Sequence, residues 1–170
     1  AAREEAAAAE LEGGDARPGP RTLDVFLNYA CQAKCAFCYN PPLTPALNAW
    51  VLPMGRLAAE LTKGRREGYD GVTYSGGEVT LLPDLPQRVA LARKAGYRSV
   101  GVITNGIRLA DPAYAKLLLD CGLTFAVVSI HGADAAVHDR RVAVPGAFAK
   151  ALRALENLRR GGALLVLNFV

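Results

Sequence analysis

Residues 99–130 read SVGVITNGIRLADPAYAKLLLDCGLTFAVVSI and contain the unit that decides the fold. The β-branched run at Ser99–Thr104 predicts a strand, residues 111–121 have helical periodicity, and Thr124–Ile130 predicts the next strand. The helix starts at an Asp-Pro pair, which is typical of an N-cap followed by proline in the first turn, and it ends at a glycine. This order predicts parallel strands joined by a crossover helix.

The same unit recurs along the chain on both sides of that stretch. Further strands are predicted at Thr22–Asn28, Gly71–Ser75 and Ala163–Val170. Further helices are predicted at 54–67, 84–95 and 146–160. The glycines that we expect to close the helices are Gly68, Gly96, Gly122 and Gly161. We therefore predict an α/β fold, a partial parallel (β/α) barrel with about five strands, whose ligands bind at the carboxyl ends of the strands.

Composition limits the class of protein. Of the 170 residues, 51% are hydrophobic and 21% are charged, which suits one globular domain and excludes a wholly disordered chain. We predict a flexible N-terminal lead-in and linker at residues 1–20 and one core domain at 21–170.

The net charge of +4 comes from scattered basic residues, so nucleic-acid binding is not expected. No run approaches about 18 apolar residues and no export signal is visible, so we expect no membrane span and a cytoplasmic location.

Three cysteines follow the first predicted strand at the spacing C-x3-C-x2-C, namely Cys31, Cys35 and Cys38. Three thiols cannot pair off into disulfides, and in a cytoplasmic chain such a cluster is more typical of a metal site. A structural zinc site usually has four ligands in two pairs, and the sequence has no second pair of Cys or His at that spacing. An iron–sulfur cluster fits better, because three cysteines leave one iron of a four-iron cluster open to an external ligand.

Polar loops follow the next three predicted strands. The second strand ends in Ser75–Glu78 (SGGE), where paired glycines let the backbone approach a small ligand and a carboxylate can accept hydrogen bonds from an ammonium group. The third ends in Thr104–Gly106 (TNG) and the fourth in Ser129–Gly132 (SIHG). Because the carboxyl ends of parallel strands meet at one edge of a sheet, we expect all four loops to converge on one face.

Together these motifs resemble those of the radical S-adenosylmethionine (radical SAM) enzymes. The resemblance extends over roughly residues 22–170 and rests first on the C-x3-C-x-aromatic-C loop, in which Phe37 is the aromatic residue. The GGE, TNG and SIHG elements then follow in the same order as in the family. One departure is Val79, which stands where the family often has proline.

The resemblance implies two cofactors and the residues that bind them. Cys31, Cys35 and Cys38 would hold a 4Fe-4S cluster, whose fourth iron would be chelated by S-adenosyl-L-methionine (SAM). Phe37 would lie by the adenine. The methionyl ammonium group would be received by Gly76, Gly77 and Glu78. The residues expected near the ribose or carboxylate are Thr104, Asn105 and Ser129, with Asn168 as a weaker candidate. No catalytic acid or base is identified.

The resemblance also implies a reaction and partners. A flavodoxin- or ferredoxin-like electron donor would reduce the cluster, SAM would be cleaved to a 5′-deoxyadenosyl radical, and that radical would abstract hydrogen from a peptide or small-metabolite substrate. Two alternatives remain open: a non-catalytic iron–sulfur protein that transfers electrons or senses redox state, and a radical SAM enzyme that modifies nucleic acid. Family barrels usually continue to a sixth strand, so we expect this radical SAM core to be C-terminally incomplete. It is expected to be either a fragment of a longer protein or a naturally shortened core whose open edge needs a partner or a covering segment.

Other conspicuous residues have simpler interpretations. Cys121 is predicted to be a core residue, and His131 and His138 are predicted to order loops rather than to react. The segment Asn40–Pro53 is too rich in proline to be expected to form a helix, and we expect it to cover the active site. Trp50 is either part of that cover or a packing anchor for it.

Overall fold

The computed structural model describes residues 21–40, 42 and 44–169, and its five β-strands form one sheet. The strands are β1 (Thr22–Phe26), β2 (Gly71–Ser75), β3 (Ser99–Thr104), β4 (Phe125–Ser129) and β5 (Leu164–Asn168). All neighbours in the sheet pair in parallel, and their order is β1-β2-β3-β4-β5. This sequential order is that of a partial parallel (β/α) barrel and confirms the predicted fold class. The predicted lead-in at residues 1–20 and the last residue of the predicted fifth strand, Val170, lie outside the described residues.

Helices connect the strands and cover one face of the sheet. They are α1 (Pro45–Ala49), α2 (Met54–Arg66), α3 (Leu85–Lys94), α4 (Pro112–Asp120), α5 (Ala135–Val142) and α6 (Ala147–Arg160). Two single 3-10 turns lie at Val79–Leu81 and Arg108–Ala110. The predicted helices correspond to α2, α3, α4 and α6, whereas α1 and α5 were not predicted. No helix within the described residues is long and apolar enough to cross a membrane.

The expectation that Asn40–Pro53 contains no helix is wrong, because α1 lies within it. Thr44 is the N-cap of α1, and its side chain accepts a hydrogen bond from the amide of Leu47 at 3.2 Å. Pro45 occupies the first turn, where a helix amide has no partner in any case, so the proline does not oppose the helix.

The unpredicted helix α5 also has an N-cap, since the side chain of Asp134 accepts a hydrogen bond from the amide of Val137 at 2.8 Å. The helix ends at Ala143, which has a left-handed backbone with a φ of 55°. Gly68, Gly96 and Gly122 follow α2, α3 and α4 with left-handed backbones, and Gly161 is the C-cap of α6, so all four predicted glycines lie at helix ends. The left-handed residue after α6 is Gly162, with a φ of 81°.

The hydrophobic core lies between the sheet and the helices. Alternate strand residues point toward the helices and are fully buried, including Val72, Val100 and Val128. They pack in one cluster with helix residues such as Leu61 and Leu118. This packing fixes the position of every strand end, and therefore of the loops that follow β1, β2, β3 and β4.

Candidate active site

An open cleft of about 200 Å³ lies at the carboxyl ends of the strands. All eleven residues predicted to bind the cluster or SAM line this cleft: Cys31, Cys35, Phe37, Cys38, Gly76, Gly77, Glu78, Thr104, Asn105, Ser129 and Asn168. They come from all five strand ends, although they are spread over most of the chain. The fold therefore brings the predicted site residues together, as expected for a parallel sheet.

The cysteine loop, residues 31–38, follows β1. Its three thiols are free, with Cys31 and Cys35 partly buried and Cys38 exposed. The amide of Ala33 donates a hydrogen bond to the Sγ atom of Cys31 at 3.4 Å. Burial raises the pKa of Cys31 to about 11, although the hydrogen bond from Ala33 lowers it. The nearby Glu78, Cys35 and Cys38 raise this pKa further. Binding of a metal centre must therefore displace a proton from this thiol.

The end of α5 holds the cysteine loop in place. The amide of Lys34 donates to the carbonyl of Val142 at 3.0 Å, and the amide of Ala36 donates to the carbonyl of Arg141 at 3.4 Å. The last carbonyls of a helix have no partner within the helix, so they are available for such bonds. The helix that the sequence did not predict thus positions the residues between the cysteines.

The loop after β2 is pressed against the residues that follow β1. The amide of Gly77 donates to the carbonyl of Asn28 at 2.6 Å, and the amide of Glu78 donates to the carbonyl of Ala30 at 2.8 Å. A Cβ atom on Gly76 would lie 2.5 Å from the Asn28 carbonyl oxygen, and one on Gly77 would overlap the carbonyls of Tyr29 and Ala30. Both glycines are required by this close approach of two backbones.

Asn28 is a positioning residue that the sequence analysis placed only at the end of a strand. Its side chain is fully buried, and its Nδ2 atom donates to the carbonyl of Ala30 at 3.0 Å and to that of Glu78 at 3.2 Å. It therefore ties the start of the cysteine loop to the GGE loop. The available signal in the sequence was an asparagine at the end of an apolar strand, since such a side chain needs hydrogen-bond partners if the strand end is buried.

The carboxylate of Glu78 is only 1% exposed and is surrounded by donors from the protein. Its Oε1 atom accepts from the amide and hydroxyl of Thr80, at 3.0 and 2.6 Å, and from the hydroxyl of Thr104 at 2.7 Å. Its Oε2 atom accepts from the amide of Asn105 at 2.7 Å. Burial raises the pKa of Glu78, while these hydrogen bonds act in the opposite direction. The carboxylate thus ties the GGE loop to the end of β3.

Asn105 bridges the end of β3 and the cysteine loop. Its Oδ1 atom accepts from the side chain of Gln32 at 3.2 Å and from the amide of Ile107 at 3.1 Å. Its Nδ2 atom lies 3.9 Å from the Sγ atom of Cys31, to which it donates. Gln32, which the sequence analysis did not single out, is the second side chain in this contact.

Ser129 and Asn168 end the last two strands and are partners in the sheet register. The carbonyl of Asn168 accepts a hydrogen bond from the amide of Ile130 at 2.9 Å. Both residues line the cleft, so the fifth strand contributes to the site as well. Asn168, the weaker of the predicted candidates, thus lines the cleft as Ser129 does.

His131 and His138 form a stacked pair, and His131 contacts the cysteine loop. Their rings are 6.0 Å apart and nearly parallel, and the Nδ1 atom of His138 accepts a hydrogen bond from the amide of His131 at 3.0 Å. His138 thus orders the loop after β4. His131 also lines the cleft, where its ring meets the ring of Phe37 edge-on at 4.6 Å. Burial lowers the pKa of both imidazoles.

Two other residues lie away from the cleft. Trp50 is not a cleft-lining residue and packs against the ring of Tyr29 at 5.5 Å and that of Phe26 at 6.3 Å, so it is a packing anchor. Cys121 packs against the hydrophobic core at the end of α4.

The donor set suits an iron–sulfur cluster with one open iron. Three thiols on one loop border a cleft that continues into polar loops. Among the described residues, no three His, Cys, Asp or Glu side chains are arranged to hold one metal ion. A four-iron cluster has no such requirement, because each thiolate binds a different iron.

The sequence and the fold both match known proteins. The family model for the radical SAM superfamily matches residues 25–168. The chain is 40% identical over 144 residues to Fe-coproporphyrin III synthase of Methanosarcina barkeri, covering 82% of this chain and 34% of that protein. It is 31% identical over 151 residues to PqqA peptide cyclase of Gluconobacter oxydans, covering 89% of this chain and 41% of that protein. The chain thus spans only about a third to two fifths of these relatives.

Solved structures share the fold at low sequence identity. Native anSMEcpe with bound AdoMet superimposes with a TM-score of 0.64 at 19% identity, covering 86% of this chain and 42% of that one. Methylornithine synthase (PylB) superimposes with a TM-score of 0.67 at 17% identity, covering 90% of this chain and 46% of that one. The family match, the two relatives and the three-cysteine cleft agree: the chain belongs to the radical SAM superfamily, a family of enzymes whose cofactors are a 4Fe-4S cluster and SAM.

Proposed function

We propose that this chain is the core of a radical SAM enzyme that cleaves SAM reductively and uses the resulting radical to abstract hydrogen from a peptide or small metabolite. The observation that carries the proposal is the convergence of all eleven predicted cofactor-binding residues on one cleft. Eleven positions from five strand ends meet there, and the three thiols border it on one side.

In this proposal Cys31, Cys35 and Cys38 hold the cluster, and SAM occupies the rest of the cleft. When bound and reduced, the cluster supplies the electron that splits SAM into methionine and a 5′-deoxyadenosyl radical. The protein's own part is to bind, orient and shield the reacting groups.

The amino-acid end of SAM is assigned to the loop after β2. The carboxylate of Glu78 already accepts four hydrogen bonds from the protein, so we assign the methionyl ammonium group to the backbone of Gly76, Gly77 and Glu78. Glu78 then acts by fixing this loop to Thr104 and Asn105 rather than by binding the ligand through its side chain.

The electron donor is proposed to approach the cysteine loop. Cys38 is exposed and the neighbouring Tyr39 is 81% exposed, so this end of the site is accessible to a flavodoxin- or ferredoxin-like protein. The free thiols need a reducing compartment, for which we propose the cytoplasm.

The substrate class rests on the relatives. One relative is named as a peptide cyclase and one solved structure holds anSMEcpe with AdoMet and the Cp18Cys peptide, whereas another relative is a coproporphyrin synthase. A peptide substrate and a small-metabolite substrate are therefore both within the proposal.

The decisive assay is the formation of 5′-deoxyadenosine. The chain is reconstituted anaerobically with iron and sulfide, reduced with dithionite and incubated with SAM, and the product is measured by liquid chromatography and mass spectrometry. We expect 5′-deoxyadenosine from the wild type and none above background from Cys35→Ala. Cys121→Ala is the matched control, since this cysteine lies outside the cleft, and should keep activity within about twofold.

A reducible cluster that leaves SAM intact would contradict the proposal. That result would instead support the alternative of a non-catalytic iron–sulfur protein that transfers electrons or senses redox state.

A further inference from the structure

The carbonyl of Thr80, just after the GGE loop, has no backbone donor in its own turn. In the 3-10 turn at Val79–Leu81, the carbonyls of the two preceding residues accept from the amides of Leu81 and Leu82, at 3.2 and 3.0 Å. The same pattern would pair the carbonyl of Thr80 with Pro83, which has no N–H. Because Thr80 is fully buried, its carbonyl needs a donor from elsewhere in the fold.

Two side chains that follow β3 donate to this carbonyl. The Nη1 atom of Arg108 donates to it at 2.5 Å, and the hydroxyl of Tyr114 donates to it at 3.2 Å. The guanidinium of Arg108 also lies over the ring of Tyr114, 4.5 Å from its centroid, so the two donors support each other. Arg108 begins the second 3-10 turn, and Tyr114 lies in the first turn of α4. The loop after β2 is thus held by the segment after β3.

The amide and hydroxyl of Thr80 hold the carboxylate of Glu78. They donate to its Oε1 atom at 3.0 and 2.6 Å, and so supply two of the four hydrogen bonds that this carboxylate accepts. A connected series of contacts therefore leads from Arg108 and Tyr114 through Thr80 to the GGE loop. Neither Arg108 nor Tyr114 lines the cleft, so any effect of theirs on a ligand must act through this loop.

The turn at residue 79 depends on such contacts for its geometry. A proline there would fix φ at about −65°, whereas Val79 leaves this angle free in the covalent chain. The conformation of the turn must then be set by hydrogen bonds and packing. The bond from Arg108 is charge-assisted, and bonds of this kind are stronger than those between neutral groups.

We propose that Arg108 and Tyr114 are positioning residues for SAM binding: their hydrogen bonds to the carbonyl of Thr80 hold the GGE loop in the geometry that receives the methionyl ammonium group. This inference rests on the proposed function, which assigns that group to the loop. It extends the binding machinery to two side chains outside the cleft that the sequence analysis did not single out.

The test measures SAM affinity when these two donors are removed. The chain is reconstituted anaerobically and kept oxidised, so that SAM is not cleaved, and dissociation constants for SAM are measured by calorimetry. We expect binding to weaken about tenfold in Arg108→Ala, about threefold in Tyr114→Phe and about thirtyfold in the double variant, since a charged donor contributes more than a neutral one. Arg108→Lys keeps a charged donor and should bind SAM within about threefold of the wild type.

Arg65→Ala is the matched control. Arg65 makes the same kinds of contact, since its Nη1 atom donates to the carbonyl of Tyr69 at 2.5 Å and its guanidinium lies 5.5 Å from the ring centroid of Tyr97. None of these three residues lines the cleft. Arg65→Ala should lower the midpoint of urea denaturation, as Arg108→Ala does, but should change the dissociation constant for SAM by less than about twofold. Iron content is measured for every variant.

Three results would overturn the inference and leave the proposed function standing. The first is SAM binding by the double variant within about twofold of the wild type. The second is equal weakening in Arg65→Ala and Arg108→Ala, because a general loss of stability then explains both. The third is SAM binding by Arg108→Lys that is no tighter than by Arg108→Ala, because the hydrogen bond is then not the cause.

A different result would overturn the proposed function as well. A wild type that holds the cluster and binds no SAM leaves neither the proposed function nor this inference standing. If the double variant loses its cluster, the limit of about twofold is applied to Arg108→Ala alone.

Discussion

Glu78 and Asn105 are bonded to each other through the backbone amide of Asn105, which donates to the Glu78 carboxylate at 2.7 Å. The sequence places both residues just after a strand, and a parallel sheet brings such positions together, so their convergence at the cleft was predictable. The hydrogen bonds that Glu78 and Asn105 form were not predictable from the sequence. The Glu78 side chain is only 1% exposed, so its carboxylate accepts hydrogen bonds from the protein instead of from water, and this burial cannot be judged from the motif alone.

The contacts of His131 and His138 were likewise only partly predictable from the sequence. Sequence reasoning predicted that His138 orders a loop, and the structure places its Nδ1 atom on the amide of His131. The position of His131 against Phe37 depends on two loops that are about a hundred residues apart in the chain. A contact of that kind follows from the packed fold and not from local pattern.

Gly77 offers a test of the close approach between the loops after β1 and β2. Gly77→Ala places a methyl group against the carbonyls of Tyr29 and Ala30, which are backbone atoms that cannot turn away. We expect the free energy of unfolding of the cluster-free chain to fall by about 2 kcal/mol, measured by urea denaturation.

Gly55→Ala is the matched control for this change. Gly55 lies in α2, is exposed, and has no atom within 4 Å of the added Cβ. Alanine is favoured over glycine in a helix, so stability should stay the same or rise by up to about 1 kcal/mol. Equal stability of the two variants would show that the loops are not as closely packed as described.

At the scale of elements, the strands and long helices follow from periodicity and helix stop signals. Strand β3 has the predicted bounds, Ser99–Thr104, and α6 begins within one residue of its predicted start. The two unpredicted helices are short. Helix α5 buries only His138 and Val142, so it has too few apolar positions for periodicity to reveal it. Its N-cap at Asp134 was the local signal.

The end of α5 can be tested at Ala143, which has a φ of 55° and directly follows Val142, whose carbonyl holds the amide of Lys34. A left-handed backbone costs a residue with a Cβ atom about 1 kcal/mol, and glycine avoids this cost. Ala143→Gly should therefore raise the free energy of unfolding, by up to about 1 kcal/mol in urea denaturation.

The control substitution is in the same helix. Ala136 is exposed and lies within α5 with helical backbone, so Ala136→Gly should lower stability by about 0.5–1 kcal/mol. Opposite signs at positions 136 and 143 are the expected result. A loss of stability in both variants would contradict the left-handed end of α5.

At the scale of the whole molecule, the site depends on all five strand ends. The cysteine loop follows β1, the GGE loop follows β2, and Asn105, Ser129 and Asn168 come at or just after the ends of β3, β4 and β5. No single segment of the described residues contains all of these groups. The order of motifs and the parallel sheet were sufficient to predict this arrangement. The substrate is not predictable from it, because the chain spans only 34% and 41% of the two curated relatives.

The central claim is that the cleft holds a cluster with an iron open to SAM. Electron paramagnetic resonance of the anaerobically reconstituted, dithionite-reduced chain tests it most directly, with spectra recorded before and after addition of SAM. We predict a signal from a reduced four-iron cluster that changes on addition of SAM in the wild type and in Cys121→Ala, and no such signal in Cys35→Ala. A cluster signal that SAM leaves unchanged, or one that persists in Cys35→Ala, would contradict the account.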